Sequence, residues 1–345
     1  MTELSPLRER VEAPHRLAAP IHPDIAVWRP LVPDDATALA GLHSVADAID
    51  HPEWTVPEAE LRDRLRRESI DLASDSMAAV TDSGAIVAYG LNVMGPNPET
   101  FVRVVLEGAI HPDVRGRGIG RQLLQWQRGR AQQQLAASDL GLPGWILIWQ
   151  STDNVTGVKL AELLGFRPAR YSATLARDLA TPIAKRETDA AVRLVPWDSA
   201  LSLAALDAHR SAFRDHWGSQ PASEEMWNEM VTDEFYRADL SFLALPADDA
   251  TTVAGYALTS VFAHDFERQG YSSSYVNLVG TRREWRGHGV AAALLANVLT
   301  ASQQAGLEKV VLDVDVENPT GAVGLYESLG FQATGGRQVA LVLSY

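Results

Sequence analysis

Two short turns carry the residues whose types and spacing point most directly to chemistry: Arg115-Gly116-Arg117-Gly118-Ile119-Gly120 and Arg286-Gly287-His288-Gly289-Val290-Ala291. Each follows an apolar, strand-like run and opens an apolar-periodic helix. Glycines let the backbone close on a ligand. The N–H groups of a first helical turn lack intrahelical acceptors and lie at the positive end of the helix dipole. A strand, a turn with Arg and two small residues, and a helix thus make a cradle for an anion such as a pyrophosphate. One such turn is a weak signal, whereas two in the same context are hard to dismiss.

The elements that must position these turns are duplicated as well. Arg29 recurs as Arg193 after 164 positions, and Asp50-His51 recurs as Asp215-His216 after 165. Arg115 recurs as Arg286 after 171, and Gly165-Phe166 as Gly330-Phe331 after 165. Two homologous modules explain all four matches, with loop insertions and deletions accounting for the unequal shifts. The sequence divides into an N-terminal arm (1–24), a first module (25–180), a linker (181–190, with Pro182 and the charges Lys185-Arg186-Glu187) and a second module (191–345).

Within the first module the pattern predicts a strand over 25–31, helices from 33 and over 57–67, and a hairpin of 77–80 with 85–93. A strand over 101–110 then enters the cradle, followed by a helix over 120–136, a strand over 144–150, a helix over 155–164 and a last strand over 171–175. The second module repeats the order, ending in strand 275–281, helix 289–305, strand 309–316, helix 322–329 and strand 339–343. Hairpin-linked strands followed by strand-helix alternation give an α/β fold with a mixed, mostly antiparallel sheet flanked by helices. The same order, and a turn without Gly-x-Gly-x-x-Gly, argue against a Rossmann dinucleotide site. Trp126, Trp145 and Trp149 are expected in core or inter-domain packing.

Composition narrows the function. The chain has 345 residues, 46% of them hydrophobic and 21% charged, which suits two globular cores. It contains no cysteine, which excludes disulfides, thiolate metal sites and a Cys nucleophile. The net charge of −14 argues against a basic nucleic-acid surface; it suits attraction of a cationic amine, or equally nothing more than keeping the chain soluble. The first 22 residues are polar, with several Arg and Pro, and have no apolar h-region, so an exposed arm is expected rather than a signal peptide. No apolar run is long enough to span a membrane, and a cytoplasmic location is expected.

Each half resembles the GNAT superfamily of acyl-coenzyme A N-acyltransferases, whose signature is Arg/Gln-x-x-Gly-x-Gly/Ala after a strand. Here it reads Arg115-x-x-Gly118-x-Gly120 and Arg286-x-x-Gly289-x-Ala291. A second family element, an Asn followed by a helix ending in Leu-Gly-Phe, is matched by Asn154 with Leu164-Gly165-Phe166 and by Asn318 with Leu329-Gly330-Phe331. The resemblance implies direct transfer of an acyl group, usually acetyl, from acetyl-CoA to an amine of a small molecule, without a metal. It implies cofactor contacts at Leu278, Val279 and Gly280 and at Arg286, Gly287, His288, Gly289, Val290 and Ala291. In the first half the corresponding set is Gly108, Ala109 and Ile110 with Arg115, Gly116, Arg117, Gly118, Ile119 and Gly120.

The halves differ at the position where many family members place the acid for the departing thiolate: Tyr326 in the second, Ala161 in the first. The second module is therefore expected to be catalytic and the first degenerate, either binding coenzyme A or serving a structural role. The loop holding Asp215, His216 and Trp217 lines the acceptor pocket by resemblance, making His216 a candidate base and Trp217 a candidate wall. Because Asp50-His51 repeats this pair in the other half, a shared structural role stays open. Tyr275 and Asn277, alternating on the strand before the cradle, are candidate acceptor contacts. Asp313, Asp315 and Glu317 read as a polar face or acceptor contacts. The tandem arrangement, with the tyrosine only in the second half, resembles the mycothiol synthases, which acetylate the cysteinyl amine of an aminosugar conjugate. Those enzymes place a carboxylate near the position of Tyr275. A non-catalytic coenzyme A-binding scaffold is the alternative, and either a monomer or a homodimer is compatible.

Overall fold

The computed structural model describes residues 4–214, 216–317 and 322–345. Two compact units emerge: Met1–Tyr171 together with Gly336–Tyr345, and Ser172–Gly335.

In chain order the first unit contains α1 (Leu7–Arg10), β1 (Val27–Arg29), α2 (Ala36–Asp50), α3 (Glu58–Leu65), α4 (Leu72–Asp75), β2 (Ser76–Val80), β3 (Ile86–Met94), β4 (Val102–Ile110), α5 (Ile119–Ala136), β5 (Gly144–Ser151) and α6 (Val155–Leu163). The strand β6 (Arg167–Asp178) leads into β7 (Val192–Pro196), α7 (Ser202–Ala212), α8 (Glu224–Thr232), β8 (Phe242–Pro246), β9 (Gly255–Ser260), α9 (Phe266–Gln269), β10 (Ser273–Thr281), α10 (Val290–Gln304), β11 (Lys309–Asp315), α11 (Ala322–Ser328) and β12 (Gln332–Ser344). The elements expected from periodicity are present. Strands buried on both faces, such as β2, read as continuous apolar runs.

In the first unit β1, β2, β3 and β4 pair antiparallel in that order, β4 pairs parallel with β5, and β5 pairs antiparallel with residues 338–344 of β12. In the second, β7, β8, β9 and β10 are antiparallel, β10 pairs parallel with β11, and β11 pairs antiparallel with residues 172–178 of β6. The last strand of each sheet thus comes from the other half of the chain. A cut in the expected linker counts strands in chain order, whereas the compact units trade their final strands. Alternation along a strand fixes which face is buried but not which neighbour it pairs with. Val339 and Leu341 join Ile146, Ile148 and Phe166 in the first core, and Leu175 joins Leu294, Leu312 and Phe331 in the second.

The N-terminal segment is not the exposed arm its polarity suggests. Leu7 is fully buried and Val11 nearly so. The Leu7 and Arg8 N–H groups donate to Leu140 O and Ser138 O, both at 3.1 Å. Two apolar residues at i and i+4 suffice to dock a short helix, a signal too brief for a periodicity argument. Trp149 also departs from its expected burial: it is 45% exposed, whereas Trp126 is buried and Trp145 stacks on Phe101 at 4.5 Å.

Candidate active site

Both cradles take the expected shape. Gly116 and Gly118 have φ of 77° and 98°, and Gly287 and Gly289 have 83° and 73°, angles that only glycine adopts freely. Gly118 and Gly289 are the N-caps of α5 and α10. The first hydrogen bonds onto these caps are Gln122 N–H to Gly118 O at 3.2 Å and Ala293 N–H to Gly289 O at 3.0 Å. The N–H groups of residues 116–121 and 287–292 therefore have no acceptor among the described residues and remain available to an anion. The Ile119 and Val290 side chains are buried, so these two residues offer backbone only.

The signature arginines hold the loop in shape. Arg286 donates from Nε to Thr281 O at 3.4 Å and from an Nη to Ala212 O at 3.0 Å. Arg115 donates from Nε to Ile110 O at 3.1 Å and pairs bidentately with Asp50 at 2.8 Å. The third loop residue meets the segment before β1 in the first unit and before β7 in the second. Arg117 pairs with Asp24 at 3.6 Å, while His288 lies 3.3 Å from Asp189, whose N–H donates to His288 O at 3.2 Å. Part of the expected linker is thus a brace for the second cradle.

Next to each cradle two parallel strands separate. The β10–β11 pairing stops at Tyr275–Val311, while β11 continues to Asp315 beside β6. In the first unit the β4–β5 pairing stops at Val105–Leu147. Arg282 N–H bonds Ala254 O at 2.9 Å and His111 N–H bonds Val87 O at 2.8 Å. Alternate residues turn their backbone groups to opposite sides. Val279 and Gly108 therefore direct N–H and C=O into the gap. Because Thr281 and Ile110 accept the equivalent arginine bonds, Leu278, Val279 and Gly280 match Glu107, Gly108 and Ala109. That set starts one residue earlier than the expected Gly108, Ala109 and Ile110; the extra residue in the second unit is a bulge.

The bulge lies between Val276 and Leu278, where the register against β9 shifts and Asn277 Nδ2 donates to Ser260 Oγ at 2.6 Å. In the first unit β3 and β4 pair without a break from Val104 to Ile110. Gln127 Nε2 donates to Glu107 O at 2.9 Å, and the Glu107 carboxylate is paired with Arg64. A bulge re-aims a strand's side chains and backbone groups, and only the second gap has one.

Tyr326 and Ala161 occupy equivalent positions. Phe331 N–H donates to Tyr326 O at 3.1 Å, and Phe166 N–H donates to Ala161 O at 3.1 Å. Tyr326 is 7% exposed, packs edge-on against Phe331 at 5.9 Å, and its hydroxyl makes no hydrogen bond to a described residue. Burial pushes the phenol up to about 12, so it keeps its proton at neutral pH.

The remaining sequence candidates fall into two groups. Tyr275 donates its hydroxyl to Asp313 at 2.9 Å, and burial together with that carboxylate raises its pKa. His216 is exposed and its Nδ1 lies 3.1 Å from Trp217 O. A carbonyl only accepts, so Nδ1 carries the hydrogen and Nε2 is the free basic nitrogen. In the first unit His51 Nε2 faces Asp47 at 3.4 Å instead. Trp217 is partly buried beside His216. Asn154 caps α6, its Oδ1 accepting Gly157 N–H at 2.9 Å. Asp215 and Asn318 lie outside the described residues.

One pair was not anticipated. His209 Nδ1 meets Tyr256 Oη at 2.6 Å, both buried, and a Cβ on Gly280 would lie 2.6 Å from that hydroxyl. The pair backs the strand that lines the gap. His43 and Tyr89 repeat it in the first unit at 2.7 Å. Four residues at nearly constant spacing between the halves were the available signal.

Among the described residues no cluster of His, Asp and Glu is arranged to hold a metal, and no helix is long and apolar enough to cross a membrane. Residues 203–331 match the Acetyltransferase (GNAT) family. A mycothiol acetyltransferase of Thermobispora bispora is 32% identical over 226 residues, covering 65% of this chain and 71% of the relative. Another, of Salinispora tropica, is 29% identical over 344 residues and 96% of both chains. A GCN5-related N-acetyltransferase structure from Sphaerobacter thermophilus superposes with a TM-score of 0.69 at 25% identity, over 92% of this chain and 95% of that one. A tandem GNAT protein from the clavulanic acid biosynthesis pathway shares the fold with a TM-score of 0.66 at 17% identity, over 92% and 98%.

Proposed function

The chain belongs to the GNAT acetyltransferase family, in its tandem, mycothiol acetyltransferase-like form, and from that premise we propose that its second unit moves an acetyl group from acetyl-CoA to a primary amine of a small molecule. The observation that carries this reading is the contrast at one hydrogen-bonded position: Tyr326 in the second unit, Ala161 in the first.

Acetyl-CoA supplies the activated thioester. The free N–H groups of 287–292 and the α10 N-terminus hold its pyrophosphate. Val279 N–H, directed into the gap, polarises the thioester carbonyl, as a fixed donor in a site that excludes water does best. The attacking amine must be neutral, and His216 Nε2 takes its proton directly or through water. Tyr326 donates to the departing sulfur. A phenol near 12 is a weaker acid than a thiol near 8.5, so the donation is a hydrogen bond that stabilises the thiolate rather than a completed transfer. The first unit, with a formed cradle but no phenol or bulge, holds coenzyme A without turnover or serves as structural support.

The 96% coverage of the Salinispora tropica mycothiol acetyltransferase favours an aminosugar-linked cysteinyl amine as a second reading of the acceptor. Calorimetric titration of acetyl-CoA into wild type and Gly289→Glu tests the donor site: the variant should lose one binding event. Tyr326→Phe should then lower kcat for thiol release by about 100-fold or more at unchanged acetyl-CoA affinity. Full turnover in that variant, or no binding of acetyl-CoA to wild type, would sink the assignment.

A further inference from the structure

Arg177 is 6% exposed, and its guanidinium meets only neutral oxygens. Nε donates to Leu329 O at 2.7 Å and one Nη to Pro182 O at 2.9 Å. The other Nη donates to Asp178 O and to Thr181 Oγ1. Among the described residues no other Lys or Arg is buried. A desolvated cation without a carboxylate is costly, and an apolar side chain would fill the same volume without that cost.

What the arginine adds is four directed bonds, and they hold the end of α11. That helix has seven residues, too few to keep its geometry by propensity alone, and its last carbonyls need donors from elsewhere. Leu329 N–H and Phe331 N–H close on Tyr326 O at 3.0 and 3.1 Å, and Gly330 N–H closes on Glu327 O at 2.9 Å. Ser328 O accepts from an Nη of Arg186 at 2.6 Å, and Leu329 O accepts from Arg177. Both cations also oppose the negative end of the helix. Gly330 has φ of 83°, and a Cβ there would lie 2.7 Å from Arg177 Nε, so the guanidinium is lodged directly against the turn. Tyr326 sits one turn back. Its hydroxyl bonds to no described residue, so the backbone of α11 and the packing on Phe331 aim it.

The first unit fills the matching place differently. Arg177 pairs with Val310, one residue before the last β10–β11 pair, and Leu343 pairs with Ile146, one residue before the last β4–β5 pair. A Cβ on Gly165 would lie 3.6 Å from Leu343 Cδ1, as one on Gly330 would meet Arg177. Leu164 O, the counterpart of Leu329 O, accepts a single bond from Arg128 of α5 at 2.9 Å, and Arg128 Nε has no partner among the described residues. The four-bond clasp occurs where the helix presents Tyr326, and one bond suffices where it presents Ala161.

Resting on the acetyl-transfer reading, we propose that Arg177 is a positioning residue for Tyr326: by clasping the end of α11 to β6 and to residues 181–182, it holds the phenol toward the sulfur of bound coenzyme A. Coenzyme A itself is the probe. Its thiolate absorbs in the ultraviolet where its thiol does not, and desulfo-coenzyme A supplies the blank, so the difference reads the pH at which the bound thiol ionises. A phenol that donates to the thiolate lowers that pH by about one unit. Tyr326→Phe should raise it by that amount, and Arg177→Leu, which installs the first unit's residue, by at least half as much. Coenzyme A held by the first unit titrates alike in every variant. In the Tyr326→Phe background Arg177→Leu should add nothing, a result that general loosening of the fold would not reproduce. Arg177→Lys, a point donor in place of a planar fork, should fall between wild type and Arg177→Leu, and it decides the question if the leucine variant does not fold. A bound thiol unchanged in Arg177→Lys and in any folded Arg177→Leu overturns the proposal, as does an equal further shift in the Tyr326→Phe background. A bound thiol unchanged in Tyr326→Phe, or no binding of coenzyme A, overturns instead the acetyl-transfer reading beneath it, and the proposal with it.

Discussion

At the scale of single residues, the buried His209 makes a prediction that does not depend on turnover. Burial, with a smaller push from the Arg210 charge, lowers its pKa from the ordinary 6.5 to about 4. Below pH 6.5 the unfolded chain takes up a proton that the folded chain refuses until about pH 4. Stability is therefore unaffected above 6.5 and falls between 6.5 and 4, by up to about 3 kcal/mol from this group. Urea midpoints of wild type and His209→Gln, compared across that window, should show the steeper acid-side loss in wild type, and parallel curves would refute the assignment. The residues that sequence reasoning found share a local signal: the cradle glycines sit in one hexapeptide, and Tyr326 sits four positions before Gly330. The bond from Thr174 to Asp313 had no such signal, because Thr174 is 139 residues away in the chain and its pairing depends on which strand lies beside β11.

At the scale of elements, the two cradle glycines of the second unit separate backbone strain from packing. Both have positive φ, so alanine at either costs about 1–2 kcal/mol. A Cβ on Gly289 would in addition lie 3.0 Å from Glu187 O, whereas one on Gly287 meets nothing within 4 Å. Gly289→Ala should therefore lower the melting temperature more than Gly287→Ala and loosen the brace at Asp189; equal shifts would mean that residues 187–189 do not bear on the loop. The order and type of these elements were readable because apolar period and turn residues agree along each. The Asn277 bulge was not, since an extra residue in one strand is visible only against its partner's register.

At the scale of the whole molecule, ten C-terminal residues complete the sheet of the first unit. Val339, Ala340, Leu341 and Val342 are buried there, and each large buried side chain contributes about 1.5–3 kcal/mol against a total of about 5–15 for a typical domain. A chain ending at residue 335 should lose the cooperative unfolding of its first unit and be cut by protease within β5 and α6, and a truncated chain that melts with the full-length protein would contradict the pairing. The duplication was plain in the sequence, but the traded strands were not, because alternation along a strand does not say which neighbour it pairs with. On the ribosome the trade sets an order of events. The first unit is synthesised early, yet β5 keeps an open edge until residues 338–344 emerge. Every nascent chain that lacks them carries that aggregation-prone edge, so the sheet edge itself marks whether synthesis has passed β12.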